Sequence, residues 1–199
     1  MSSLPSPSQL ALKRMFDVVV SFILLLFLIL PILVLWLLAS VSTHRNGLFV
    51  QQRIGRHGHP FSLYKLRSLK GTHHHDIHDM ANKETRFGRW LRKSKLDELP
   101  QLWNVLIGDM SLVGPRPDVP GYADALTGED RIILAVRPGI TGPATLKYKN
   151  EDALLRAQPD PNRYNDTVIW PDKVAINKRY VEAWQFQKDI AYLWRSVFG

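Results

Sequence analysis

The feature that most constrains this chain is an uncharged run from Val18 to Val41, interrupted only by Ser21, Pro31 and Ser40. As a straight helix these positions extend roughly 36 Å at 1.5 Å per residue, enough to cross a hydrocarbon core of about 30 Å. The run is too long for a cleaved signal peptide and lacks a convincing small-residue cleavage site. Two shapes satisfy it: a kinked span, or a re-entrant hairpin that enters and leaves the same leaflet. Pro31, near the middle, removes a backbone donor and crowds the preceding turn, and it biases Leu30 away from helix. Prolines are nevertheless tolerated in membrane helices. Lys13 and Arg14 precede the run, while Arg45, Arg53 and Arg56 follow it. With both flanks basic, the positive-inside rule is satisfied best if both ends stay cytoplasmic. The residues alone leave both shapes open.

Around this segment the chain divides into a Ser- and Pro-rich tail over residues 1–12, expected to be mobile, the membrane segment over 13–43, and one domain over 44–199. That domain is large enough to bury a core. Cysteine is absent, which excludes disulfides and thiolate chemistry. The formal net charge of +8 favours anionic partners, either acidic headgroups, phosphorylated substrates or nucleic acid. Residues 48–54 and 61–66 read as two short strands around Gly55-Arg-His-Gly58. Residues 82–93 have helical spacing, a second helix is expected from Glu98 to about Ile107, and Pro138-Gly139 suits a type II turn. Residues 172–198 read as amphipathic helix, with Trp184 and Trp194 suited to headgroup anchoring or to packing on the domain. The expected class is α+β, dominated by helix, with a small β-hairpin and amphipathic surface helices.

The chemistry concentrates in Ser94-Lys-Leu-Asp-Glu-Leu-Pro-Gln-Leu102 and in Gly108-Asp-Met-Ser-Leu-Val-Gly-Pro-Arg-Pro117. Asp97 and Glu98 are adjacent acids at an expected helix start. Taken alone, they fit a capping box from Ser94 and the favourable helix dipole as well as they fit a site. Arg116, held between Pro115 and Pro117, presents a forked donor set with little backbone freedom, and such a fork matches phosphate oxygens.

From about Lys13 to Lys149 these motifs resemble the bacterial sugar transferases, specifically the small monotopic phosphoglycosyl transferases. The resemblance implies a re-entrant membrane helix broken at Pro31, and a catalytic domain on the cytoplasmic face of the bacterial inner membrane. It implies transfer of a sugar phosphate from a UDP-sugar to a polyprenyl phosphate, with Mg2+ as cofactor. Asp97 would be the nucleophile, forming a phosphosugar intermediate and expelling UMP. Asp97 and Glu98 would share the metal. Arg116 and Arg92 would bind phosphate, with Lys65, Arg67 and Arg137 as secondary candidates. The chain departs from the family in two places. Leu30 stands where a serine often precedes the proline, and Pro143-Ala-Thr-Leu-Lys-Tyr-Lys149 replaces the commoner Trp-Ala-Gln continuation, as in a variant subgroup.

His73, His74, His75 and His78 invite a zinc reading, but consecutive histidines in a polar loop lack fixed ligand geometry. Two competing functions fit less of the sequence. A membrane-anchored basic binding module explains the charge and not the dyad, and no nucleic-acid-binding signature is present. A glycosidase needs two carboxyls across the scissile bond, which adjacent residues supply poorly.

Overall fold

The computed structural model describes residues 4–71 and 83–199. The four clustered histidines lie outside the described residues. The first element, α1 (Pro7–Thr43), is one helix of 37 residues. Ser6 caps it, with Gln9 reaching back to complete a capping box and Pro7 at the first helical position. The helix thus begins inside the segment expected to be a tail through residue 12. The helix is continuous through Pro31, because the proline removes only its own donor and the ladder resumes on either side.

Both ends of α1 are fixed to the domain. Near its start, Lys13 Nζ lies 2.6 Å from Asp189. Arg14 donates to the carbonyls of Val105 and Leu106, and Asp17 accepts from the Leu112 amide at 3.1 Å. Near its end, Ala39 is fully buried against Leu66 and Leu91, and Ser42 donates to Thr85. Between these anchors Leu25, Leu28 and Leu35 pack on the domain, while Phe22, Leu26, Phe27, Leu30 and Val34 remain exposed. The helix is long and apolar enough to cross a membrane, and almost none of its most apolar window is buried. It is therefore not the core helix of a water-soluble fold.

The expected hairpin is formed by β1 (Leu48–Ile54) and β2 (Pro60–Leu66), antiparallel with Leu48 opposite Leu66. After it come α2 (Arg86–Lys93), a 3-10 turn (Leu96–Glu98) and α3 (Gln101–Ile107). Buried Asn104 ties α3 to β2 by accepting from the Tyr64 amide and donating to the Ser62 carbonyl. A second pair, β3 (Ser111–Val113) and β4 (Gly139–Thr141), runs parallel. Pro138-Gly139 thus opens a strand and not a type II turn. Gly139 approaches Gly114 so closely that a Cβ on it would lie 2.1 Å from the Gly114 nitrogen, and this contact closes the parallel pair.

The C-terminal part is helical: α4 (Pro143–Lys147), α5 (Glu151–Arg156), α6 (Pro161–Tyr164), a π-helical turn (Asn165–Ile169), α7 (Trp170–Glu182) and α8 (Phe186–Phe198). The single helix expected over 172–198 is broken at residues 183–185. The break divides the two tryptophans, since Trp184 is buried and Trp194 is exposed. The main core gathers Leu63, Val105, Met110, Val113, Val181 and Trp184 under the inner face of α1.

Candidate active site

The dyad lies in the 3-10 turn between α2 and α3, not in the first turn of an α-helix. Ser94, expected to cap forward, donates backwards to the Trp90 and Leu91 carbonyls and closes α2. Lys95 then takes a left-handed conformation, φ 59°, and reverses the chain. Leu96 tucks against Leu66 and Leu91, so the next two residues are held at a fixed point beside β2. With about three residues per turn, successive side chains in a 3-10 segment diverge by about 120°, and the two acids enter different surroundings.

Glu98 Oε1 accepts from Arg116 Nη2 at 2.7 Å and from Lys65 Nζ at 3.2 Å. Burial would raise its carboxyl, but Arg116 and then Lys65 outweigh burial and hold it well below the usual range. Arg116 is raised in turn by Glu98, against its own burial. Asp97, equally buried, has an Oδ1 that accepts no hydrogen bond. Burial drives its carboxyl above the ordinary value, with Lys65 opposing and Glu98 reinforcing the rise. One neighbour is thus a fixed anion and the other a buried carboxyl with a free oxygen, the kind of split that assigns two carboxyls two roles.

The mounting of Arg116 comes from the parallel pair. Gly114 N donates to Thr141 O and Gly139 N to Pro115 O, which clamps the chain on the N-terminal side of the arginine. Arg53, on β1, donates to the Pro117 carbonyl at 3.3 Å on the other side. Arg92 is held by Asp152 and, at 3.6 Å, by Glu84, and its charge acts on Asp97.

Of the secondary candidates, only Lys65 meets the dyad. Arg67 donates to the Asn46 carbonyl and stacks over Phe49. Arg137 donates to the Gly108 carbonyl at the end of α3, where Arg14 also binds, so both satisfy a helix C-terminus. Two residues absent from the sequence-based set complete the site. Burial lowers Arg53 to about 10, helped by Arg116. Burial pushes Asp118 up to about 6, against Lys173 and Arg53. Both line a cleft of about 270 Å³ together with residues from α5 to α7. Asp118 follows Pro117 directly, which was the one sequence cue to it; Arg53 is an ordinary outward strand position by pattern.

Residues 8–199 match the family model described as bacterial sugar transferase. The chain belongs to that family.

This transferase is 34% identical to "Uncharacterized sugar transferase EpsL" of Bacillus subtilis, over 94% of this chain and 85% of the relative. It is 36% identical to the "UDP-glucose:undecaprenyl-phosphate glucose-1-phosphate transferase" of Caulobacter vibrioides, over 93% of this chain and 68% of that protein. With the "Undecaprenyl-phosphate galactose phosphotransferase" of Salmonella typhimurium it shares 31% identity over 98% of its own length, but spans only 42% of that relative. The family match covers the dyad, Arg116 and the cleft alike.

The groups present also bear on a divalent cation. Among the described residues no cluster of three or more His, Asp or Glu forms a cage. The free buried oxygen of Asp97 and the carboxylate of Glu98 beside it nevertheless suit Mg2+, which commonly takes one or two protein carboxylates and completes its shell with substrate phosphates and water. Asp97 is the better of the two donors, since Glu98 Oε1 is already engaged by two cations.

Proposed function

We propose that this transferase moves a sugar phosphate from a UDP-sugar to a polyprenyl phosphate through a phosphosugar carried on Asp97. The observation that supports this best is the unpartnered, buried Asp97 Oδ1 beside two cations, Arg116 and Lys65, that share the single carboxylate of Glu98. Names of relatives that act on undecaprenyl phosphate support the same reading.

In the first step a carboxylate oxygen of Asp97 attacks the phosphorus that bears the sugar. The bond to the bridging oxygen breaks, and UMP leaves with that oxygen. In the second step a phosphate oxygen of the polyprenyl phosphate attacks the same phosphorus, and the Asp97 carboxylate is released. No net proton is consumed, and one carboxylate meets a soluble donor and a lipid acceptor in turn. Arg116 and Lys65 offer donors to the phosphoryl oxygens while Glu98 fixes their positions. Bound Mg2+, held by Asp97 and Glu98 with the donor diphosphate, would neutralise charge on the leaving group.

The attachment of both ends of α1 to one domain favours a monotopic arrangement. Lys13 and Ala39 are separated by about 39 Å of helix at 1.5 Å per residue, yet both rest on the same body. A straight span would carry one of those contacts across the bilayer. The reading is therefore a re-entrant segment whose two ends lie on the same side of the bilayer, with the dyad on the cytoplasmic face of the inner membrane. UMP release by nanodisc-purified protein, with a UDP-sugar panel, Mg2+ and undecaprenyl phosphate, tests the reaction. Sugar-dependent UMP that disappears in Asp97→Asn is the expected result; no UMP from any donor by folded protein overturns it.

A further inference from the structure

The cleft adjoining the dyad has a composition that the chemistry above does not use. Its inner end is Arg53 and Asp118, next to Pro117 and Arg116. Its outer wall comes from α5 to α7, where Arg156 has no ion-pair partner among the described residues and the other charges are paired. Lys173 lies 2.6 Å from Glu151, and Arg92 holds Asp152. A diphosphate entering here would meet three carboxylates, Asp118, Glu151 and Asp152, which offset three of the four lining cations, Arg53, Arg92, Arg156 and Lys173. A neutral group rich in hydroxyls would instead find fixed donors and acceptors with little net field.

The aromatic residues argue against a flat base in the same place. Tyr122 and Trp170 meet edge to face, 5.3 Å apart at 74°, and so form no parallel slot. The rare π-helical turn lies here too, with Asn165 as its first residue and Trp170 directly after it. Such turns occur mostly as single-turn bulges in α-helices and are frequent at functional sites. The turn leaves Asn165 beside Tyr122, donating to its hydroxyl at 3.3 Å.

We propose that this cleft holds the hexose of the nucleotide-sugar donor, with Asn165 and the Glu151–Lys173 pair setting which hexose is accepted. The proposal rests on the donor reading above. It also gives a role to the segment in which this chain departs from the commoner family pattern. Tyr148, in Pro143–Lys149, places its ring 5.7 Å from Lys173 Nζ and donates its hydroxyl to Asp172 at 2.7 Å. That segment thus aims Lys173 into the cleft without touching the dyad.

The test measures binding by calorimetry in nanodiscs, on Asp97→Asn protein so that no turnover intervenes. UDP and a panel of UDP-hexoses are compared with and without Asn165→Ala or Glu151→Gln. Loss of a hydrogen bond to a buried sugar hydroxyl weakens binding by about tenfold. The expected result is that loss for the preferred UDP-hexose, a changed order of preference among hexoses, and UDP affinity within about twofold of its starting value. Equal weakening of UDP and UDP-hexose would make the cleft a nucleotide or phosphate site and overturn the proposal. No change in either variant would overturn it as well. Glu151→Gln lies outside the π-helical turn, so local unfolding of that turn cannot mimic its effect. UMP release by the unsubstituted protein is read separately. If that fails while the hexose-dependent binding is seen, the transfer reaction falls and the cleft assignment stands.

Discussion

Two buried acid clusters in this protein have nearly the same ingredients and opposite chemical meaning. Asp189, 1% exposed, accepts from Lys13, Tyr180 and Trp184 at 2.6 to 3.0 Å. Every strong partner it needs is present, and the cluster joins α1 to α7 and α8. Asp97, 8% exposed, lies among Lys65, Glu98 and Arg92 and leaves one oxygen unpartnered. Burial of charge is common to both. What separates a structural ion pair from a site is whether the acceptor capacity is used up.

The sharpest way to break that contrast is to neutralise each acid in place. Asp97→Asn keeps shape and removes the proposed nucleophile, and UMP release is expected to fall by more than about 10³-fold, roughly 4 kcal/mol in the barrier. Residual activity above a few per cent would move the chemistry elsewhere. Asp189→Asn leaves Lys13 buried without its counter-charge and is expected to cost about 3 kcal/mol of stability, read as a lowered denaturation midpoint in detergent. If Asp189→Asn instead left stability intact and removed activity, the two clusters would have to be exchanged in role.

A smaller effect separates positioning from charge at Arg116. Arg116→Lys keeps the cation and loses the planar fork beside Glu98, and kcat/KM is expected to drop about 10- to 100-fold. The smallest effect concerns stability at the dyad. The folded-state carboxyl of Asp97 is raised, so its contribution is greatest at low pH and is lost as pH rises from about 3.9 through the folded value. Asp97→Asn should accordingly stabilise the protein by roughly 1 kcal/mol near neutrality, with the gain vanishing towards pH 4. Glu98 runs the other way: its carboxyl is depressed, so its stabilisation is present above about 4.3 and lost as the pH falls below that. Melting midpoints of Asp97→Asn relative to the parent, followed upward from pH 4 to 8, and of Glu98→Gln, followed downward below about pH 5, should show these opposite dependences.

Sequence carried the hairpin, the long apolar helix and the dyad, because each has a local signature: alternation, an uncharged run, a motif with fixed spacing. The turn type at the dyad was not legible. Ser94 had two backbone partners available, and only the reversal at Lys95 decided that it closes α2. Arg53, Asp118, Asn165 and Lys173 were also missed, since they come from a strand, a loop and two helices that tertiary packing alone brings to one cleft. Arg67 and Arg137 match a family pattern in sequence, yet each finds a backbone carbonyl nearby. A guanidinium satisfied in that way has less reason to turn towards substrate.

Lys95 has one consequence beyond the path of the chain. A non-glycine residue in the left-handed region carries a conformational penalty of about 1–2 kcal/mol, and here that penalty stands two residues before Asp97. Glycine at 95 would relieve it while widening the backbone choices of the unfolded and folded turn alike; valine or isoleucine would be excluded sterically. The turn that carries the dyad is thus held against a local backbone cost by the packing of Leu96 on Leu66 and Leu91.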